Sequence, residues 1–329
     1  MNAAGALGAR RRRWGRVVAR AAVTVALIGG ILAWLPLGEL IAAMASVGVG
    51  LWGGVLLGFA AGHVLAALKW RGLLRAAGLR AGVKDAVWAH GAGLFANLCL
   101  PSLVGGDVVR AGWLARRGGS AETLAVVGLA DRAIDTLALV ALAAVGALWV
   151  PGGPGAGATR ILAFAAVALL LAAVVAIGLV RRVDPDRLPG RLGAAVHEAR
   201  RALAALGAAP AAAAVALGLA LAIQTGFVGM NAVLGTAVGI HVPVAVWVLA
   251  WPLAKLAALV PVSLGGIGVR EAALAALLAP FAVDPTLAVA QSLVWETILI
   301  ALGLLAGGAW IWRGRDVPIT GSAFRGDAL

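Results

Sequence analysis

The chain has 329 residues, 62% of them hydrophobic and 12% charged, with a mean hydropathy of +1.00. Soluble domains carry roughly a quarter charged residues, so a water-soluble globule is excluded and the chain is a membrane protein. The formal charge of +13, from 27 Lys and Arg against 14 Asp and Glu, fits cytoplasmic loops and anionic head groups and needs no nucleic acid.

The 12 Trp and 46 Gly suit a lipid-embedded bundle, where small residues let helices approach and Trp anchors the interface. A single cysteine, Cys99, rules out an internal disulfide and a cysteine metal cluster. In chain order, a basic tail at 1–16 leads into six apolar runs, 17–37, 48–68, 123–148, 160–180, 210–238 and 286–312. Each is long enough to cross about 30 Å of hydrocarbon. The first run follows GARRRRWGRVVAR and is either a retained helix or a secretory signal cleaved near AAMAS at 42–46; its length favours the retained helix.

Two further apolar stretches, 86–116 and 244–279, are interrupted near their middles by LPSLVGGDVVR and VPVSLGGIGVR. Proline removes a backbone donor and paired glycines invite a bend, so each is either a kinked crossing or a hairpin returning to its own side. Charge decides for hairpins. With both stretches re-entrant and the N-terminus inside, twenty-two of the 27 basic residues fall on the cytoplasmic side, among them Lys69, Arg116, Arg117, Arg200 and Arg201. The outer connectors 38–47, 149–159, 239–243 and 280–285 then hold no Lys or Arg, as the positive-inside bias demands. The expected fold is all-α: six transmembrane helices plus two re-entrant hairpins, multi-pass in the plasma (inner) membrane, with both termini cytoplasmic.

At an offset of 160 the hairpins pair Pro101 with Pro261, Gly105 with Gly265, Gly106 with Gly266, Val109 with Val269 and Arg110 with Arg270. Five of ten positions are identical, and each hairpin sits between two crossings and one. The first enters from the cytoplasm and the second from outside, an inverted repeat of the transporter kind. The single membrane domain 1–329 thus divides into repeat 1, about 17–148, and repeat 2, about 160–312, with a tail at 313–329. The polar stretch 181–208 spaces Leu192, Val196, Ala199, Leu203 and Leu206 at helical intervals. It is either an amphipathic helix on the cytoplasmic membrane surface or an extension of the next span.

Arg110 and Arg270 follow their glycine pairs by four residues, one turn into the returning half-helices. Guanidinium groups grip phosphate bidentately, and exposed N–H groups at a helix start add positive potential. The alternative is local pairing, Asp107 with Arg110 and Glu271 in the first turn of its own helix. Asp131 and Asp135 share one helix face beside Arg132, and Glu296 lies near the equivalent place in the last crossing. These acids either relay protons, hold a head-group amine, or act as counter-ions to the arginines. Lys255 either snorkels or joins the site; Asn97 is a substrate-contact candidate and, with Gln224 and Asn231, interhelical hydrogen-bonding glue.

NLCLPSLVGGDVVRAGWL at 97–114, LADRAIDTLAL at 129–139 and VPVSLGGIGVREAALAALL at 260–278 resemble the lysylphosphatidylglycerol synthase transmembrane-region, or flippase-like, membrane proteins. With the spans, the resemblance covers most of the chain. It implies a polytopic plasma-membrane protein with two re-entrant elements, related to the module that moves aminoacylated phosphatidylglycerol between leaflets. Ser102 and Asp107 stand where many relatives carry Arg and Glu, and with Leu329 soon after the last span, the soluble aminoacyl-transferase domain of the bifunctional members is not expected here.

HExxH, GxSxG and GxxxxGK[ST] do not occur. His63, His90, His197 and His241 are scattered one to a segment, unlike a metal site, and Asp184 and Asp186 in a DPD triplet read as a solvated turn. No cofactor or metal is expected. The leading expectation is a lipid translocase whose partner is an anionic membrane phospholipid, with a second copy or a lipid-modifying enzyme as further partners. The alternatives are a secondary transporter of a small anionic solute and an integral-membrane transferase or accessory subunit.

Overall fold

The computed structural model describes residues 35–100, 105–150, 182–259, 263 and 266–314, with isolated positions in 22–30 and 171–178. Among the described residues all regular structure is helical. The α-helices are α1 (Leu37–Ala45), α2 (Val49–Ala76), α3 (Val83–Cys99), α4 (Gly105–Ala115) and α5 (Ala121–Trp149), then α6 (Gly190–Gly207), α7 (Pro210–Ala237), α8 (Val244–Ala257), α9 (Val269–Leu278) and α10 (Pro285–Gly314).

Four of these, α2, α5, α7 and α10, are long and apolar enough to cross a membrane, and they coincide with four of the six runs read from the sequence. The runs 17–37 and 160–180 lie almost wholly outside the described residues. Local chemistry marks the ends. Ser120 Oγ accepts a hydrogen bond from Thr123 N (3.2 Å) to start α5, and Pro210 occupies the first turn of α7, where its missing donor costs nothing. Both interrupted stretches are broken into two short helices that pack on each other, α3 with α4 and α8 with α9. At 1.5 Å per residue the 11-residue α4 and 10-residue α9 are only about 15–16 Å long.

Helix contacts come in corresponding pairs. The entering arm α3 packs on α10 of the other half, as α8 packs on α5; α4 lies on α5 as α9 lies on α10; and α2 packs along α7. Apart from Lys255, α8 is apolar all round, as befits a helix surrounded by α5, α7 and α9, which bury Trp247, Leu249, Trp251 and Leu253.

Three readings change. The connector 38–47 contains helix α1, which sets Leu40 against Val289 and Ala290 of α10. α2 continues to Ala76, past the end of its apolar run, and Lys69, assigned above to the cytoplasmic connector, is a buried residue of that helix. The stretch 181–208 is no extension of α7: α6 ends at Gly207, Pro210 begins a new helix, and α6 instead lies on the start of α5 with Thr123 Oγ1 donating to Glu198 Oε1 at 2.9 Å. The DPD triplet forms a 3-10 turn, Pro185–Arg187, in which Asp184 accepts from Asp186 N.

Candidate functional site

The first hairpin closes through backbone contact. At the bend Asn97 Oδ1 accepts from Gly106 N (2.8 Å), covering a donor that a helix start leaves open. A Cβ on Gly106 would lie 2.5 Å from that same oxygen and against the Gly93 carbonyl. Gly106→Ala therefore must part α3 from α4 and is expected to cost about 1–3 kcal/mol. Gly112→Ala, on the same helix with nothing within 4 Å, should leave the unfolding midpoint in detergent unchanged.

The bend delivers Asp107 and Arg110 into an ionic ladder. Arg132 Nη2 meets Asp107 Oδ2 at 2.7 Å, Arg110 Nη2 meets Asp107 at 3.0 Å and Asp131 at 2.9 Å, and Lys69 Nζ meets Asp131 at 3.0 Å and also pairs with Asp135. Signs alternate along its length, which is how charges are kept at low cost away from water. The Trp70 ring lies 4.6 Å from the Arg110 guanidinium.

The second hairpin carries a simpler network. Gly266 and Gly268 turn the chain at φ +79° and +85°, where L side chains are strained. Gly268 N then donates to Glu271 Oε2 at 2.6 Å, capping α9. Arg270 Nη2 bonds Glu271 Oε1 (2.8 Å) and Glu296 Oε2 (2.6 Å), and Ser292 Oγ donates to Glu271. Arg270 Nε is buried without a partner, as is Nε1 of Trp251, whose ring lies 5.8 Å from the guanidinium. Lys255 donates to Gln224 Oε1 (3.0 Å), lies 5.3 Å from the Phe227 ring, and makes no ion pair among the described residues.

These two networks face one cavity of about 290 Å³. Asn97, Gly106, Asp107 and Arg110 of the first hairpin line it together with Trp251, Lys255 and Arg270 of the second, and α5 adds Asp131, Arg132 and Asp135. The lining also holds an aromatic cluster: Phe59 packs on Phe227 at 5.1 Å and Trp295 at 4.9 Å, and Trp251 on Trp295 at 5.2 Å between centroids. A polar group carrying charge and a less polar shoulder fits such a space.

Of the site residues expected from sequence, nine line this cavity, while Glu271 and Glu296 sit behind Arg270 as its counter-ions. Asp107 and Asp131 pair with Arg110, Glu271 and Glu296 pair with Arg270, and Gln224 and Asn231 bond across helices, Asn231 Oδ1 accepting from Gln291 (2.6 Å). Gly105 lies at the start of α4, against Leu100; Pro101, Pro261 and Gly265 lie outside the described residues. Sequence reasoning missed Lys69 and Trp70; the signal for Trp70 was the stripe Phe59, His63, Ala66, Trp70 at four, three and four residues. It also treated the histidines as scattered, whereas His63 Nδ1 and His90 Nε2 are 3.0 Å apart in the cavity wall. Nothing in two residues 27 positions apart announced that contact.

No curated protein matches the chain. The family model described as the lysylphosphatidylglycerol synthase transmembrane region matches residues 18–307, and with its apolar helices this multi-pass membrane protein belongs to that lipid-related family.

Proposed function

We propose that the protein is a flippase-like lipid translocase that binds a phosphate-bearing, anionic head group between its two hairpins and passes it across the membrane while the acyl chains stay in lipid. The observation that carries this reading is the meeting of Arg110 and Arg270, equivalent at the 160-residue offset, around one cavity. The returning arms α4 and α9, about 15–16 Å long, span half of a hydrocarbon core of about 30 Å, which supports hairpins that dip from opposite faces beside six full crossings. The paired helix contacts support two inverted repeats that rock about the site to expose it alternately. On this reading both termini lie on the cytoplasmic side of the plasma membrane, the arginines hold the phosphate, and Asp107, Glu271 and Asn97 keep them in place.

The test is leaflet exchange of a fluorescent phosphatidylglycerol in vesicles containing the purified protein. Arg110→Ala and Arg270→Ala are expected to lower exchange while the protein stays folded. Wild-type rates in both variants would refute the assignment.

A further inference from the structure

One pair of groups in the cavity wall takes no part in the ionic networks. His63 of α2 and His90 of α3 are joined ring to ring at 3.0 Å, and His90 Nδ1 is buried with no hydrogen-bond partner. A neutral pair carries two N–H hydrogens on four nitrogens. One hydrogen lies in the bond between the rings, and the other sits on the outer nitrogen of the accepting ring. In either tautomer one outer nitrogen is bare, so a further proton fits there without breaking the bond, whereas yet another would set two donors face to face.

The charges around this pair balance. α2 presents Lys69, α4 Asp107 and Arg110, and α5 Asp131, Arg132 and Asp135; α8 adds Lys255 and α9 Arg270, with Glu271 of α9 and Glu296 of α10 behind it. α3 and α7 offer the cavity only uncharged groups besides the histidines, such as Asn97 and Gln224. Five basic groups thus meet five acidic ones. A phosphate diester entering this neutral assembly brings one uncompensated negative charge into a poorly solvated space, where it is costly. Protonating Asp107, Asp131 or Asp135 in response would strip a partner from Arg132, Arg110 or Lys69. The imidazoles can gain a proton without breaking any ion pair.

Resting on the translocase reading above, we propose that the His63–His90 pair takes up a proton from solvent as the anionic head group binds, so that phosphate and proton cross together as a neutral load. Linkage makes the effect reciprocal: lipid favours the proton and the proton favours the lipid.

Titration calorimetry of the detergent-solubilised full chain with dihexanoylphosphatidylglycerol, in two buffers of different ionisation enthalpy near neutral pH, counts the protons. The expected result is uptake of about one proton per bound lipid, lost in His63→Gln and His90→Gln although both still bind the probe. Binding without proton uptake by the wild type, or unchanged uptake in both variants, would overturn the inference and leave the lipid reading standing. Failure of the probe to bind the wild type would overturn both. Should the variants not fold, nitrogen-15 spectra of the histidine-labelled wild type decide, since the chain has only four histidines. Imidazolium signals appearing in the pair on lipid addition support uptake, and an unchanged spectrum contradicts it.

Discussion

Asp131→Ala is expected to be among the most damaging single substitutions in the membrane core, lowering stability by about 3–5 kcal/mol. Asp131 is 5% exposed and stands between Arg110, 2.9 Å away, and Lys69, 3.0 Å away. Removing it leaves two neighbouring cations to share Asp107 and Asp135 alone, and like charges then face each other where water cannot screen them. Thermal unfolding in detergent reads the loss. Because the ladder acts as a unit, adding Lys69→Met to Asp131→Ala should recover part of the stability, which is the non-additivity expected of a shared network. Additive losses in the double variant would mean that the residues do not form a connected ladder.

Arg270→Ala is expected to reduce head-group exchange more than Arg110→Ala does. Arg110 is committed on one nitrogen to two carboxylates, stacks on Trp70 and is 5% exposed. Its loss registers first as instability, because Asp107 and Asp131 lose their partner. Arg270 keeps a buried Nε without a partner beside Lys255, itself free of ion pairs among the described residues. That wall has donors to spare for an anion. A hydrogen bond to a charged group contributes about 1.5–3 kcal/mol, so Arg270→Ala should slow exchange roughly ten- to a hundred-fold, while also lowering the unfolding midpoint because Glu271 and Glu296 lose their partner. The same ordering should appear in phosphatidylglycerol retained through purification, measured by native mass spectrometry. Equal effects on exchange and stability in both variants would contradict the division of labour.

Much of this framework is legible in the amino-acid sequence. Run length marked α2, α5, α7 and α10, because crossing a bilayer requires a minimum number of apolar residues whatever the fold. The proline and paired glycines marked where each interrupted stretch breaks into two helices, because proline removes a backbone donor and paired glycines invite a bend, and Arg110 and Arg270, matched by the repeat, line one cavity. What stayed hidden was partnership. Periodicity tells which residues share one face of a helix, but not which two faces meet, so the contact of His63 with His90 left no trace in either segment. Lys69 was lost for a related reason. A hydropathy run ends at its first charge, yet α2 continues because Asp131 and Asp135 of α5 neutralise that lysine. Charge inside a membrane is read correctly only with its counter-ion in view.

The account stands or falls on hairpins that turn back in the bilayer, and the side of the membrane on which their flanks emerge tests this most directly. In a Cys99→Ser background, Arg80→Cys just before α3 and Arg116→Cys just beyond α4 can be labelled with a membrane-impermeant maleimide in sealed inside-out and right-side-out vesicles. The account predicts that both label in inside-out vesicles alone. Labelling of the two positions from opposite sides would make the first stretch a crossing, and the two arginines could no longer approach one site from opposed hairpins.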